Sequence, residues 1–278
     1  MKLSYNEATA LKCSTLEKDL VLCEKTGYDF IEIRLDMLRG YLKTHTTDNL
    51  KSFFANSHIK PHAFNALLDI NFLDDSGWKI IMNDFRLACE VGKQIGDQYI
   101  VVCPTRNNTP KHYSEREVFD DTVKTLIRLS DFGRKYGMKI AFEPVGNLSV
   151  NSVHQAWEII KAIGRADVGI TFDAFNLFLN NKLNHFDDMK IVDLNKVFVV
   201  HIDDSEDLPL EELDHCHRMF PGEGIIDLAN YIATLKEMHY EGMVSVETFR
   251  PEYWAKDPEW VIRTGYETTR KIIESAGA

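Results

Sequence analysis

Four short apolar runs in the second half of the chain each end in a side chain able to hold a proton or a metal ion. Met138-Lys-Ile-Ala-Phe stops at Glu143 and Val168-Gly-Ile-Thr-Phe at Asp173. Lys196-Val-Phe-Val-Val stops at His201 and Met243-Val-Ser-Val at Glu247. One acidic residue at the end of such a run more often caps the next helix or sits in solvent. Four in succession form a constellation. Three carboxylates brought together without a cation repel one another, and their pKa values rise. A divalent ion removes the conflict, and oxygen ligands with one imidazole suit Mn²⁺, Mg²⁺, Co²⁺ or Zn²⁺, the hard donors favouring the first three.

These residues need elements that aim them at one place. Eight strand candidates alternate with helical segments: Lys2–Asn6, Phe30–Arg34, Lys60–Ala66, Tyr99–Pro104, Met138–Glu143, Val168–Asp173, Val197–Asp203 and Met243–Glu247. Helix starts are read at Thr47, at Ser76, at the capping box Ser114-Glu-Arg-Glu117, at Ser152, at Asp227 and at Asp257-Pro258. Longer loops are expected after Asp173 and after His201. Strict strand–helix alternation implies parallel strands and right-handed crossovers, and eight units imply an α/β fold closed as a single (β/α)8 TIM barrel, one domain over residues 1–278. No GxGxxG follows the first strand, which argues against an open dinucleotide-binding sheet. In such a barrel the strand C-termini face one site, so the strand-end residues read there extend to Asn6-Glu7 on the first strand, Glu32 and Arg34 on the second, Asn65 on the third and Pro104 on the fourth. Glu32 and Arg34 would contact substrate or pair beneath the site.

Arg218, in Arg218-Met-Phe-Pro-Gly-Glu-Gly224, offers a fork of donors to an anionic or hydroxylated substrate, or is a solvated loop residue. His215-Cys-His217 has ligand-like spacing but reads better as loop, and His154 and His185 as structural or surface residues. Tyr253 and Trp254 would wall a sugar ring or pack the barrel rim.

The totals bound the partners. The chain has 278 residues, 44% hydrophobic and 27% charged, with a net charge of −11. The acidic balance argues against nucleic acid. No apolar stretch nears the roughly 18 residues of a membrane span, and the first residues show no signal-peptide pattern. Five cysteines, odd in number and without a CxxC pair, point to free thiols and a reducing cytoplasm. The oligomeric state is left open, a homo-oligomer included.

Asn6-Glu-Ala-Thr9, Gly27-Tyr-Asp-Phe-Ile-Glu-Ile-Arg34, Tyr136-Gly-Met-Lys-Ile-Ala-Phe-Glu143, His201-Ile-Asp-Asp204, Phe220-Pro-Gly-Glu-Gly224 and Val244-Ser-Val-Glu-Thr-Phe-Arg-Pro-Glu-Tyr253 together make the chain resemble the sugar isomerase/epimerase branch of the xylose-isomerase-like TIM barrels. Within it, the chain resembles the inosose isomerase (IolI-type) proteins of inositol catabolism. The resemblance implies one divalent metal held by Glu143, Asp173, His201 and Glu247, with acid/base roles for Glu143 and Glu247. It covers the chain end to end, with one departure: many relatives carry His three residues after the strand-six Asp, where this chain has Asn176, taken as a substrate contact.

The expected activity is isomerisation or epimerisation of a keto-inositol or related ketose. A proton moves between carbons through a metal-bound enediolate, with Arg218 as a further donor. Loss of a β-hydroxyl after the same first step would make the enzyme an inosose dehydratase-like lyase instead. An endonuclease IV-like nuclease with more metal ligands and a non-catalytic sugar-binding barrel are the other readings. The acidic charge opposes the first, and the paired glutamates oppose the second.

Overall fold

The computed structural model describes residues 1–106, 113–181 and 184–276. Eight parallel strands close a barrel: β1 Lys2–Asn6, β2 Phe30–Arg34, β3 Lys60–Leu67, β4 Tyr99–Val102, β5 Lys139–Phe142, β6 Val168–Asp173, β7 Val197–Ile202 and β8 Met243–Val246. Each pairs with the next, and β8 closes on β1 through Lys2↔Met243 to Tyr5↔Val246. The expected (β/α)8 barrel is therefore present.

Alternation along each strand sorts the core into two. Outward-facing Tyr5, Ile31, Ile33, Ile140, Phe142, Ile170, Phe172, Val200 and Ile202 are buried under the surrounding helices. Inward-facing Ala63, Val101, Ala141 and Val199 fill the barrel interior with Phe198 and Met243. Strands buried on both faces read as continuous apolar runs, which is why the sequence shows them so plainly.

The helices begin largely where capping chemistry puts them. The Ser114 side chain accepts from the Glu117 N–H while Glu117 answers, opening α5 (Glu115–Gly133). Ser152 caps α6 (Val153–Ile163), and Asp257 with Pro258 at the first turn opens α10 (Pro258–Ser275). Three expectations are corrected. The cap of α4 (Asp75–Ile95) is Asp74, whose Oδ1 accepts from the Gly77 N–H at 2.7 Å; Ser76 donates to that carboxylate. A short helix α2 (Leu35–Tyr41) follows β2 before α3 (Thr47–Asn56); it has no side-chain cap and contains Gly40, so it leaves no start signal. The stretch after Asp173 is the helix α7 (Ala174–Asn181) rather than a loop.

After β7 the chain makes a two-stranded antiparallel hairpin, Asp204–Ser205 against Arg218–Met219. The Asp204 carboxylate organises its far side, accepting from the Gly222 and Gly224 N–H groups at 2.9 Å each and from Ile226 N–H at 2.9 Å. Gly222 has φ of +87°. A Cβ on Gly224 would collide with the Ser205 carbonyl, so both glycines are required by the backbone. The hairpin fixes Arg218 against the C-terminal mouth of β7.

Candidate metal centre and active site

Most of the site strands end one residue earlier than the sequence suggests, at Phe142, Ile202 and Val246. Glu143 and Glu247 thus stand just beyond the last paired residue, at the rim. Asp173 and His201 lie side by side in register on β6 and β7. One donor atom from each of Glu143, Asp173, His201 and Glu247 falls within 4.8 Å of every other, and all four residues are buried. His201 Nδ1 is 3.3 Å from Glu247 Oε2, 3.6 Å from Asp173 Oδ2 and 4.0 Å from Glu143 Oε1, yet it has no hydrogen-bond partner.

Arg218 is fully buried beside this group. Its Nη1 lies 2.8 Å from Asp173 Oδ2, 2.9 Å from Glu247 Oε2 and 2.6 Å from Asp203 Oδ2. Its guanidinium carbon sits 5.1 Å over the Phe175 ring and 5.5 Å over Phe249. Asp203, which follows His201 by two residues, also accepts from the Phe175 N–H at 2.9 Å. Asp203 and Asp204 therefore hold Arg218 and its loop in place.

The two glutamates are held differently. Glu143 receives neutral donors: Asn176 Nδ2 at 2.8 Å on Oε1 and the Cys103 thiol at 3.6 Å on Oε2. Glu247 receives Asn6 Nδ2 at 2.8 Å on Oε1 and the Arg218 cation on Oε2. Burial pushes the Glu143 carboxyl up to about 8, with Asp173 and Glu247 adding to the rise. Glu247 is also raised by burial, against the pull of His201 and Arg218. Burial would raise Asp173 too, but Arg218 and His201 outweigh it and hold that carboxyl at about 2. Burial would lower His201, but the carboxylates of Glu247 and Glu32 outweigh it and raise the imidazole well above its usual range.

A divalent cation fits this donor set. Among the described residues, the five buried carboxylates of Glu32, Glu143, Asp173, Asp203 and Glu247 have Arg218 and His201 as their ion-pair partners. The unpartnered Nδ1 of His201 points among three of those carboxylates, as a neutral imidazole ligand would.

Above the cluster opens a cavity of about 350 Å³, lined among others by Arg34, Asn65, Cys103, Arg106, Glu143, His215, Arg218, Glu247 and Phe249. Arg34 and Asn65 thus reach the cavity wall; Arg34 is paired with Asp36 through Nε at 3.0 Å and makes no pair with Glu32. Two expected substrate contacts are placed elsewhere. Glu32 is fully buried beneath the ligand layer, its Oε2 3.1 Å from His201 Nε2. Asn176 is buried on Glu143, and its N–H donates to Asp173 Oδ1 at 2.7 Å. Tyr253 stacks on Phe220 at 4.0 Å and Trp254 Nε1 donates to the Ala8 carbonyl, so both pack the rim. His215 lines the cavity, while His217 Nδ1 accepts from the Asp214 N–H in a turn cap. His154 is exposed near Asp188. Asn6, read from the sequence as a strand-end residue facing the site, holds Glu247; Cys103 and Phe249 were not among the expected site residues. Cys103 had a signal, since Tyr-Ile-Val-Val-Cys ends at the strand level of the candidate ligands.

A family model described as xylose isomerase-like TIM barrel matches residues 20–270. The chain belongs to that family. It is 41% identical over 276 residues to an inosose isomerase of Halalkalibacterium halodurans, covering 98% of this chain and 96% of the relative. The match to an inosose isomerase of Bacillus subtilis is also 41%, over 98% of both chains. A solved structure of the IolI protein with a bound zinc atom superposes with a TM-score of 0.93 at 40% identity, covering 99% of each chain. Among the described residues no helix is long and apolar enough to cross a membrane.

Proposed function

We propose that this family member is a divalent-metal-dependent isomerase of an inosose or a related polyhydroxy ketone. The observation that carries the reading is the buried Glu143–Asp173–His201–Glu247 set, with Glu143 and Glu247 lining a cavity, in a chain 41% identical to inosose isomerases across its length. A divalent ion held by those four residues supplies Lewis acidity toward a carbonyl oxygen. The unit of action is the whole barrel, residues 1–278 as one domain, because the ligands come from four strands and β1 closes on β8.

The chain's own side chains account for the proton. Glu143 and Glu247 each present a carboxylate to the cavity from different strands, one on either side of His201. One removes the proton from the carbon beside the substrate carbonyl, and Arg218 donates to the oxygen on which negative charge develops. Return of the proton to the former carbonyl carbon moves the ketone; return to the opposite face of the first carbon inverts it. Asn176 and Cys103 hold Glu143, and Asn6 holds Glu247, so both carboxylates are positioned before substrate enters. Arg34 and Asn65 on the wall are placed to bind ring hydroxyls.

Exchange of substrate protons with D₂O, followed by NMR across a panel of inososes and ketohexoses, tests this. Glu143→Gln and Glu247→Gln are expected to abolish exchange, with bound metal measured in parallel to separate loss of a base from loss of a ligand. Full exchange in either variant, or in chelator-treated protein, sinks the mechanism. Growth of an enone absorbance during incubation would replace isomerisation by dehydration.

A further inference from the structure

Two buried acidic residues at the site, Asp203 on Arg218 and Glu32 on His201, are neither ligand candidates nor lining of the cavity, and of these Glu32 touches a candidate ligand. It projects from β2 into the barrel interior, fully buried, and meets His201 from the side opposite the other carboxylates: Oε2 to Nε2 is 3.1 Å. The contact spans the barrel. In the ring of strands, β1 and β8 lie between β2 and β7. Ser4 and Ser245, paired with each other on those two strands and both fully buried, carry side chains small enough to leave the path open. The β2–β3 ladder shifts register between Ile31 and Glu32, an irregularity of the kind that re-aims a side chain.

A buried carboxylate is costly unless its oxygens are matched by donors and charge. An ionised carboxylate can only accept a hydrogen bond. A neutral imidazole facing it must therefore carry its proton on Nε2, which leaves the lone pair on Nδ1. That is the nitrogen with no partner, pointing among Glu143, Asp173 and Glu247. Tyr231 reinforces the pose from the outer side, donating to the His201 carbonyl at 3.0 Å.

We propose that Glu32 is a positioning residue for the metal centre: it fixes the tautomer and ring orientation of His201, so that Nδ1 is the metal-binding nitrogen, and adds a fixed negative charge beneath the ion. The proposal rests on the metal-centre reading above. Carboxylates that accept from a metal-bound histidine raise its basicity, and their loss commonly weakens metal binding ten- to a hundredfold.

The test uses Zn²⁺ and Co²⁺ binding by the full chain in competition with a chelator, without substrate. Glu32→Gln keeps the size and one acceptor but removes the charge; Glu32→Asp keeps the charge on a shorter stem. Glu32→Gln is expected to bind either ion ten- to a hundredfold more weakly, and its turnover of inosose should recover at saturating metal with KM little changed. Affinity within twofold of the unsubstituted protein overturns the proposal and leaves the isomerase reading intact. Weakened metal binding in Glu32→Gln, with no proton exchange on ketoses by the unsubstituted protein, has the opposite meaning: Glu32 is supported and the isomerase lost. A measurement on the unsubstituted protein stands independent of how the variants fold. In the Zn²⁺-loaded chain, long-range ¹H–¹⁵N correlation should show His201 protonated on Nε2 and metal-bound on Nδ1; the reverse assignment overturns the proposal.

Discussion

Asp19→Asn should remove the share of the pH dependence of stability between about pH 4 and pH 7 that comes from Asp19. Asp19 lies in the first turn of the helix Leu16–Thr26, fully buried behind β1, where the Ser14 hydroxyl donates to it. Facing it is Glu7, equally buried, whose Oε2 accepts from the Arg34 N–H at 2.7 Å. Each carboxyl keeps one oxygen without a donor. Burial pushes Asp19 from 3.8 up to about 7, and burial followed by the Asp19 charge raises Glu7 well above its usual range. Because the folded pKa lies above the unfolded one, the folded protein retains a proton that the unfolded chain has released. The Asp19 contribution to stability is therefore full below its unfolded pKa and declines as pH rises toward the folded one, levelling off above about pH 7. Three pH units at 1.36 kcal/mol each set a ceiling of about 4 kcal/mol, and about 2–4 kcal/mol is expected. Asn at 19 keeps a group able to accept from Ser14 and does not titrate. Urea unfolding of both proteins at pH 5, 6, 7 and 8 reads the effect: the stability of Asp19→Asn relative to the parent should rise with pH. Parallel curves, within about 0.5 kcal/mol, would show that the pair is ionised in the folded state and refute the reasoning.

Arg218→Met should cost about 3–5 kcal/mol in urea unfolding, because Asp173, Asp203 and Glu247 lose the cation they share while staying buried; a loss below about 1 kcal/mol would mean that solvent reaches them. Gly224→Ala should cost about 1–3 kcal/mol, since the added methyl group displaces the loop from the Ser205 carbonyl and the Asp204 carboxylate. It should also lower turnover by shifting Arg218, and unchanged stability together with unchanged turnover would contradict the account of that loop.

The barrel and the convergence of its four candidate ligands were legible because period and strand-end chemistry agree. Val197–Val200 is apolar on both faces, so His201 stands out as the first side chain not explained by packing, and the same holds for Glu143 and Glu247. What escaped the sequence was relation across the barrel. Glu32 alternates correctly to face inward, but nothing in Phe30-Ile-Glu-Ile-Arg34 says that it reaches past Ser4 and Ser245 to β7 instead of upward to substrate. Arg34, two residues later on the same face, does reach the cavity. The difference is one layer of depth, which periodicity does not encode. The helix after Asp173 was hidden for a related reason: the side chain that caps it is itself a ligand candidate, so its capping signal was read as site chemistry alone.

Asn176 shows what such double use does to a site. Its backbone N–H donates to Asp173 and its side-chain amide to Glu143, so one residue in the first turn of α7 ties two ligand candidates from neighbouring strands. The side-chain carbonyl in turn lies 3.4 Å from the Gly146 N–H, which fixes which end of the amide faces Glu143. An amide donates at every pH, whereas an imidazole at this position would be larger and would change its donor count on titration. In this chain the hold on Glu143 is thus made of neutral donors, Asn176 on one oxygen and Cys103 on the other, while Glu247 answers to a fixed cation. The two carboxylates best placed to exchange a proton with substrate are set apart in their electrostatics before any ligand arrives. That asymmetry comes from residues flanking the four strand-end ligand candidates.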